Sequence, residues 1–426
     1  MMETMIRRPG AFAALAIAAL ALAGCGSVGA PALAPDAAAP ADGAHRAPGG
    51  ASGRYVVVLK EGVAPADVAR AHGVTPEIVY TSAIRGFAGP VSAAQARRLV
   101  GDPRVALVEP DRMVSLIEPQ ERLLAKPSRP GGGSTSPEAP YGVDRMDAEA
   151  APTHVNVGIA VIDTGIDLTH PDLRVVGNVT FVSGTKNGND DNGHGSHVAG
   201  TAAAIAGNGG VRGVAPGAPL YAVKVLDRNG SGWYSRVIAG VDWVKARAGT
   251  IRVANMSLGG PKYKPLDDAI SAAVTAGVTF VVAAGNSADD AGLYSPSGGG
   301  SVICVSAIAD SDGKPGGLGN DTAYGPDDTF ASFSSFGSAV DLAAPGVGIT
   351  STYRGGRYAT LSGTSMASPH VAGAAALYIA KTGITSPTSV RSGLLGEAKP
   401  QSGSFGFSGD MDGWAEPLVY AGYPAP

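Results

Sequence analysis

The run Thr279-Phe280-Val281-Val282-Ala283-Ala284 carries almost no polar side chain, and nothing else in the chain constrains the fold as strongly. A strand wetted on one face alternates polar with apolar residues; one without alternation is buried on both faces. Five more candidate strands follow the same rule, Asn156–Ile162, Leu220–Val225, Val253–Ser257, Val302–Ala307 and Val340–Ala343. Helical spacing fits His194–Ala206, Ser235–Ala248, Pro265–Ala276 and Ser365–Lys381. Doubly buried strands separated by helices predict an α/β fold, a mostly parallel central sheet with helices on both faces. Cys304 falls inside one of these strands and reads as a small buried hydrophobe.

A smaller unit precedes this body. Arg54–Lys60 is a β-branched run, Pro65–His72 a short helix, and Ile84–Pro90 a strand. Ser92 caps a helix to Val100, and Val105–Glu109 is a last strand. Residues 53–118 therefore predict a small α+β domain, marginal on its own. Residues 119–140 hold five prolines and a run of three glycines, an exposed linker of the kind that is cut.

At the N-terminus, Arg7 and Arg8 precede an apolar run from Ala11 to Ala23, too short to span a membrane. Residues 1–25 read as a signal peptide. Leu22-Ala23-Gly24-Cys25 resembles a bacterial lipoprotein box, which implies lipid on Cys25. Residues 26–52, rich in Ala, Pro and Gly, read as a tether. The expectation is an exported precursor held at the cell envelope by that lipid. With Cys25 on a tether and Cys304 in a core strand, no disulfide framework is predicted. Net charge is −4 with no basic cluster, which argues against nucleic acid as a partner.

In an open parallel sheet, functional groups collect at the carboxyl ends of the strands. One apolar run ends in Val161-Ile162-Asp163, another in Ala283-Ala284-Gly285-Asn286, and Gly193-His194-Gly195-Ser196-His197 opens a helix. Gly363-Thr364-Ser365-Met366-Ala367-Ser368-Pro369-His370 opens another. The N–H groups of a first helical turn are unpaired and carry the positive end of the dipole, so a nucleophile there has oxyanion donors at hand. Pro369 reads as a first-turn proline. Asp163, His194 and Ser365 follow one another in the order known from subtilisin, and no Gly-x-Ser-x-Gly elbow surrounds the serine.

From about Pro140 to the C-terminus the sequence resembles the subtilisin family of serine peptidases. The resemblance rests on Val161–Asp167, His194–Thr201, Gly213-Val214-Ala215-Pro216, Ala254–Gly260, Ala283–Asn286, Ala344-Pro345-Gly346 and Gly363–Gly373. Residues 53–118 are similar to that family's inhibitory, chaperone-like propeptide. The resemblance implies a self-processed endopeptidase acting on protein or peptide substrates, blocked by its own propeptide as intramolecular inhibitor, and active as a monomer. Ser365 is then the nucleophile, His194 the base, Asp163 its orienting partner, and Asn286 with the Ser365 N–H the oxyanion hole. His197 and His370 lie deeper in their helices and read as packed. Substrate would run between Ser231-Gly232-Trp233 and Ser257-Leu258-Gly259, with Ala283-Ala284-Gly285 lining the primary pocket. Tyr294, near the pocket floor, implies a preference for smaller side chains. The processing cut falls between residues 117 and 140, near Ile117.

The family also implies structural calcium, with no catalytic cofactor. Asp172 with Asn208 is one position, and Asp341 with carbonyls around Ser297–Val302 a second. Residues 310–330 look inserted and hold Asp310, Asp312, Asp321, Asp327 and Asp328; they read as a solvated acidic loop, with a further cation site as the alternative. The competing functional reading is a catalytically impaired peptide-binding lipoprotein. It calls for a missing triad or oxyanion residue, and all four are present.

Overall fold

The computed structural model describes residues 53–116, 120–124 (backbone), 140–206 and 210–423. The signal sequence, the tether, Cys25, Asn208 and most of the linker lie outside the described residues.

The small unit comprises β1 (Arg54–Leu59), α1 (Pro65–Ala71), β2 (Ile78–Tyr80), β3 (Gly86–Pro90), α2 (Ala93–Val100) and β4 (Val105–Pro110). Its strands form an antiparallel sheet in the order β2-β3-β1-β4. Ser92 caps α2 in a reciprocal capping box with Gln95. β2 escapes the periodicity because it is three residues long. The chain then forms β5 (Met113–Leu116) and β6 (Gln120–Leu124). The start of the expected linker is thus a paired strand and not free chain.

The larger unit begins with α3 (Tyr141–Arg145), β7 (Gly158–Asp163), β8 (Val175–Thr180), α4 (His194–Ala203) and β9 (Leu220–Lys224). It continues through β10 (Ser231–Trp233), α5 (Tyr234–Lys245), β11 (Ile251–Met256), β12 (Leu258–Pro261), α6 (Lys264–Thr275), β13 (Thr279–Ala283) and β14 (Tyr294–Ser295). The remainder is β15 (Ile303–Ala309), β16 (Thr329–Phe330), β17 (Leu342–Pro345), β18 (Ile349–Tyr353), β19 (Arg357–Ser362), α7 (Thr364–Thr382) and α8 (Pro387–Glu397).

The central sheet runs β16-β15-β13-β11-β7-β9-β8, with β17 also on β15, and every pair is parallel except β15–β16. The uniform apolarity of the strands is explained by their two faces. Ile159 and Val161 pack with α4 and α7, whereas Ala160 and Ile162 pack with α5 and α6. Cys304 is fully buried on the latter side, where burial raises its thiol pKa and makes it a packing residue. Among the described residues no helix is long and apolar enough to cross a membrane.

One sequence expectation needs correcting. Pro369 is the sixth residue of α7, in its second turn. A proline there leaves the carbonyl four residues earlier without its helical donor. That carbonyl belongs to Ser365, and the Ser257 hydroxyl donates to it instead at 2.9 Å.

Candidate active site

Asp163 is the last residue of β7 and His194 the first of α4, so a strand end faces a helix start. Asp163 is fully buried and its carboxylate accepts from His194 Nδ1 at 2.8 Å (Oδ1) and 3.0 Å (Oδ2). It also accepts the Thr164 N–H at 2.7 Å. A carboxylate can only accept, so Nδ1 is the donor, and whenever the ring is neutral its lone pair is on Nε2. Nε2 is buried and has no hydrogen-bond partner among the described residues.

The two glycines beside His194 are steric requirements. Gly193 has φ +125°, and a Cβ on Gly195 would stand 2.0 Å from the Gly165 carbonyl oxygen. Just upstream is a residue that the sequence reading missed. Asp190, 4% exposed, accepts from Thr164 Oγ1, from the N–H groups of Asn192, Gly193 and Ser196, and from Ser196 Oγ. It binds the helix start to the residue after Asp163. An acid just ahead of a helix was the available signal. Lys224, fully buried, donates to the carbonyls of Thr164 and Leu226 and to Asp191, bracing the same corner.

The other two histidines differ from His194. His197 bonds through Nε2 to the carbonyls of Ile349 and Ala359, and His370 through Nδ1 to that of Met366. Burial, the dominant cause, lowers them to about 3 and about 4 respectively, so both are neutral packing groups.

Ser365 is the second residue of α7 and is fully buried. Its Oγ donates to the Ser257 carbonyl at 3.3 Å, and no hydrogen bond joins it to His194. The Ser257 hydroxyl is itself held by Asn255 Nδ2 at 2.9 Å, and Asn255 Oδ1 accepts from Ser368 at 2.7 Å. Asn286 has its amide oxygen fixed by the Thr364 N–H at 2.9 Å and hydroxyl at 2.7 Å. A backbone N–H can only donate, so the amide must present Nδ2 as a donor on its other side, toward Gly363.

The predicted cleft walls are strands, and a third strand lies between them. β5 pairs antiparallel with β10, Ser231 facing Ser115, Gly232 facing Val114 and Trp233 facing Met113. It pairs antiparallel with β12 on its other side, Leu258 facing Leu116 and Gly259 facing Ser115. A pocket of about 330 Å³ opens beside it, lined by Ala283, Ala284, Gly285, Asn286 and Tyr294. The Tyr294 hydroxyl is tied to Asp289 at 3.0 Å, which holds the ring in the pocket wall. β6 pairs antiparallel with β19, the strand that leads into α7, from Gln120 facing Ser362 to Leu124 facing Tyr358.

The small domain is held down by polar contacts to helix ends. Asp111, 2% exposed, accepts the Ser235 N–H and hydroxyl at the start of α5. Burial, the largest influence, raises its carboxyl pKa, opposed by the Ser235 bonds and by Arg54. In return Asp242 of α5 accepts the N–H groups of Thr81, Ser82 and Ala83.

The expected calcium positions fare differently. Asp172 is 1% exposed and accepts from the Tyr358 hydroxyl at 2.6 Å; no ion pair to it is formed among the described residues. It fits as one ligand of a cation. Asp341 does not fit: Arg391 of α8 takes its Oδ1 and the Cys304 N–H its Oδ2. The sequence reading missed α8 and so missed the guanidinium that occupies the place assigned to calcium.

Comparison with known proteins agrees with this geometry. Residues 155–411 match the Subtilase family and residues 54–117 the Peptidase inhibitor I9 family. Subtilisin DY of Bacillus licheniformis is 42% identical over 62% of this chain and 93% of its own length. An extracellular serine proteinase of Thermus sp. (strain Rt41A) is 38% identical over 83% of this chain and 87% of its own. The alkaline serine exoprotease A of Vibrio alginolyticus is 37% identical over 82% of this chain, which spans 61% of that protein. The crystal structure of a cold adapted subtilisin-like serine proteinase superposes with a TM-score of 0.55, at 38% identity, over 66% of this chain and 97% of that one. The chain belongs to the subtilase family of serine endopeptidases and carries an I9-type propeptide domain ahead of its peptidase domain.

Proposed function

We propose that Ser365, His194 and Asp163 are the catalytic triad of a secreted endopeptidase that first cuts its own precursor between Leu116 and Gln120. Ser365 Oγ attacks the scissile carbonyl while His194 Nε2 takes its proton, and the same nitrogen then protonates the leaving amine. Water hydrolyses the acyl-enzyme by the same two steps. Asp163 holds the tautomer and stabilises the imidazolium. The developing oxyanion is bound by Asn286 Nδ2 and the Ser365 N–H. Substrate adds as a strand between β10 and β12, its side chain entering the pocket beside Tyr294.

The observation that carries this reading is the pairing on either side of the nucleophile. Leu116 is paired with Leu258, next to the Ser257 that bonds Ser365, and Gln120 with Ser362, three residues before Ser365. The described strands on either side of residues 117–119 therefore both end beside the proposed nucleophile. The bond after Ile117, which the family resemblance implies, lies between those two pairings in the sequence. Residues 53–117 then remain as an inhibitor in the non-primed cleft. Asp172 and Asn208 would contribute oxygens to a structural calcium. Lipid on Cys25 would anchor the precursor, and the cut would leave the anchor with the propeptide and release the peptidase.

The test is the full-length chain with Ser365→Ala, expressed in a host lacking secreted proteases. Whole precursor should accumulate in the membrane fraction, whereas the wild type gives a soluble fragment beginning at Glu118. Maturation of the alanine variant at the wild-type rate would sink the proposal.

A further inference from the structure

The 310–328 loop joins β15 to β16 and folds back on itself through its acidic side chains. Asp310, Asp312 and Asp327 each bring a carboxylate oxygen to within 4.8 Å of the others. Part of this is ordinary loop chemistry. Asp310 Oδ1 accepts the N–H groups of Asp312 and Gly313, Asp312 Oδ1 accepts that of Lys314, and Asp327 accepts from Ser311 and Gly319.

One oxygen is not explained in that way. Asp310 is 4% exposed, and its Oδ2 is buried with no hydrogen-bond partner among the described residues. Leaving a carboxylate oxygen buried without a donor is costly, and a bound cation relieves that cost. Arg145 is close enough to act on Asp310 through its charge. Its Nε is bonded to Asp328 at 2.7 Å and its Nη2 to the carbonyls of Phe405 and Gly406, and it forms no ion pair with Asp310.

We propose that Asp310, Asp312 and Asp327 bind a calcium ion. Three carboxylates make a hard, all-oxygen donor set. Calcium accepts six to eight oxygens in flexible geometry, whereas magnesium demands a near-ideal octahedron, so three carboxylate oxygens offered by a loop, with water and loop carbonyls completing the shell, suit calcium. The position of the loop gives the ion its role. Asp328, adjacent to one ligand, holds Arg145 at the end of α3, the first element of the peptidase domain. The ion therefore stiffens the segment that becomes the N-terminal region once the precursor is cut.

The test uses the full-length chain in the Ser365→Ala background, which does not digest itself. Calcium is titrated into metal-free protein by calorimetry, with Asp312→Asn and Asp172→Asn as separate variants. Asp312 is half-buried, and asparagine keeps its bond to the Lys314 N–H, so the fold is not at stake. Asp312→Asn should abolish one binding event or weaken it by about tenfold or more, whereas Asp172→Asn leaves that event intact. Equal calcium stoichiometry and affinity with and without Asp312→Asn would overturn the site, as would absence of any binding in the parent. Magnesium binding at the same site as tightly as calcium would overturn the choice of ion.

Discussion

The two sheets of this molecule are stabilised in opposite ways. In the central sheet, successive residues of one strand enter different cores, both made by helices of the same domain. In the small sheet, Tyr55, Val57 and Leu59 pack under α1 and α2, but Val56, with Tyr80 and Ala88, joins the core cluster of α5 and α6. Half of its packing is borrowed. A domain of some sixty residues buries too little surface to be secure by itself, and one whose second face is completed by a neighbour is most stable while docked. The comparison separates a rigid region that carries the proposed active site from one that depends on it for part of its core.

Asn286→Ala tests that separation most severely. Turnover should fall by about 10²–10³, the range found for the equivalent amide in subtilisin, with little change in KM. Affinity for added propeptide should stay within about twofold, since Asn286 bonds only to Thr364 among the described residues. A parallel loss of propeptide affinity would show that the two regions are not separable.

Asp111→Ala acts on the other side. It removes two bonds to the start of α5, and the separate propeptide should inhibit the mature enzyme about 10–100-fold more weakly. The pH dependence has a definite sign. Docking raises the Asp111 carboxyl above its usual value, so the protonated form docks better and affinity falls as pH rises beyond about 4. Inhibition constants measured between pH 4.5 and 8 should show this slope, and Asp111→Asn should flatten it.

Within the rigid region, Glu416 is 2% exposed and accepts from the Ser306 hydroxyl at 2.6 Å. Burial raises it to about 7, so its contribution to stability is complete below about pH 4.5 and is lost as pH rises through 7. Glu416→Gln keeps the Ser306 bond without the charge. It should stabilise the peptidase at pH 8 by up to about 3 kcal/mol and do nothing at pH 4, as read by thermal unfolding. The smallest effect belongs to Tyr294→Gly, which should shift preference severalfold toward large aromatic side chains in competition assays. An unchanged preference would mean that the tyrosine does not narrow the pocket.

The sequence was most legible where burial is complete. Six strands of the central sheet, β7, β9, β11, β13, β15 and β17, were found because they are apolar on both faces, whereas the partly exposed β8 and the two-residue β16 were missed. The helices expected from His194 and Ser365 were found at their apolar runs, the second beginning one residue earlier at Thr364. Legibility failed where pairing replaces packing. β18 and β19 carry Thr350, Ser351, Thr352 and Thr360, whose hydroxyls are absorbed by cross-strand and helix bonds that no local pattern announces. β5 and β6 look like loop and linker because their partners lie more than a hundred residues away. In the site, Asp163, His194, Asn286 and Ser365 were identifiable from their positions at element boundaries. Lys224 and Asn255 were not, since they act only through neighbours, and Asp190 offered only the signal of an acid ahead of a helix.

Pro369 has a further consequence for the proposed nucleophile. Because it supplies no N–H, the Ser365 carbonyl is anchored to Ser257, one residue before the wall on which β5 lies. The height of the serine is therefore gauged against the strand on which β5 lies and not only against its own helix. In the proposed reaction, a small tilt of α7 would carry less error into the approach of oxygen to carbonyl, because workpiece and tool would be clamped to the same rail.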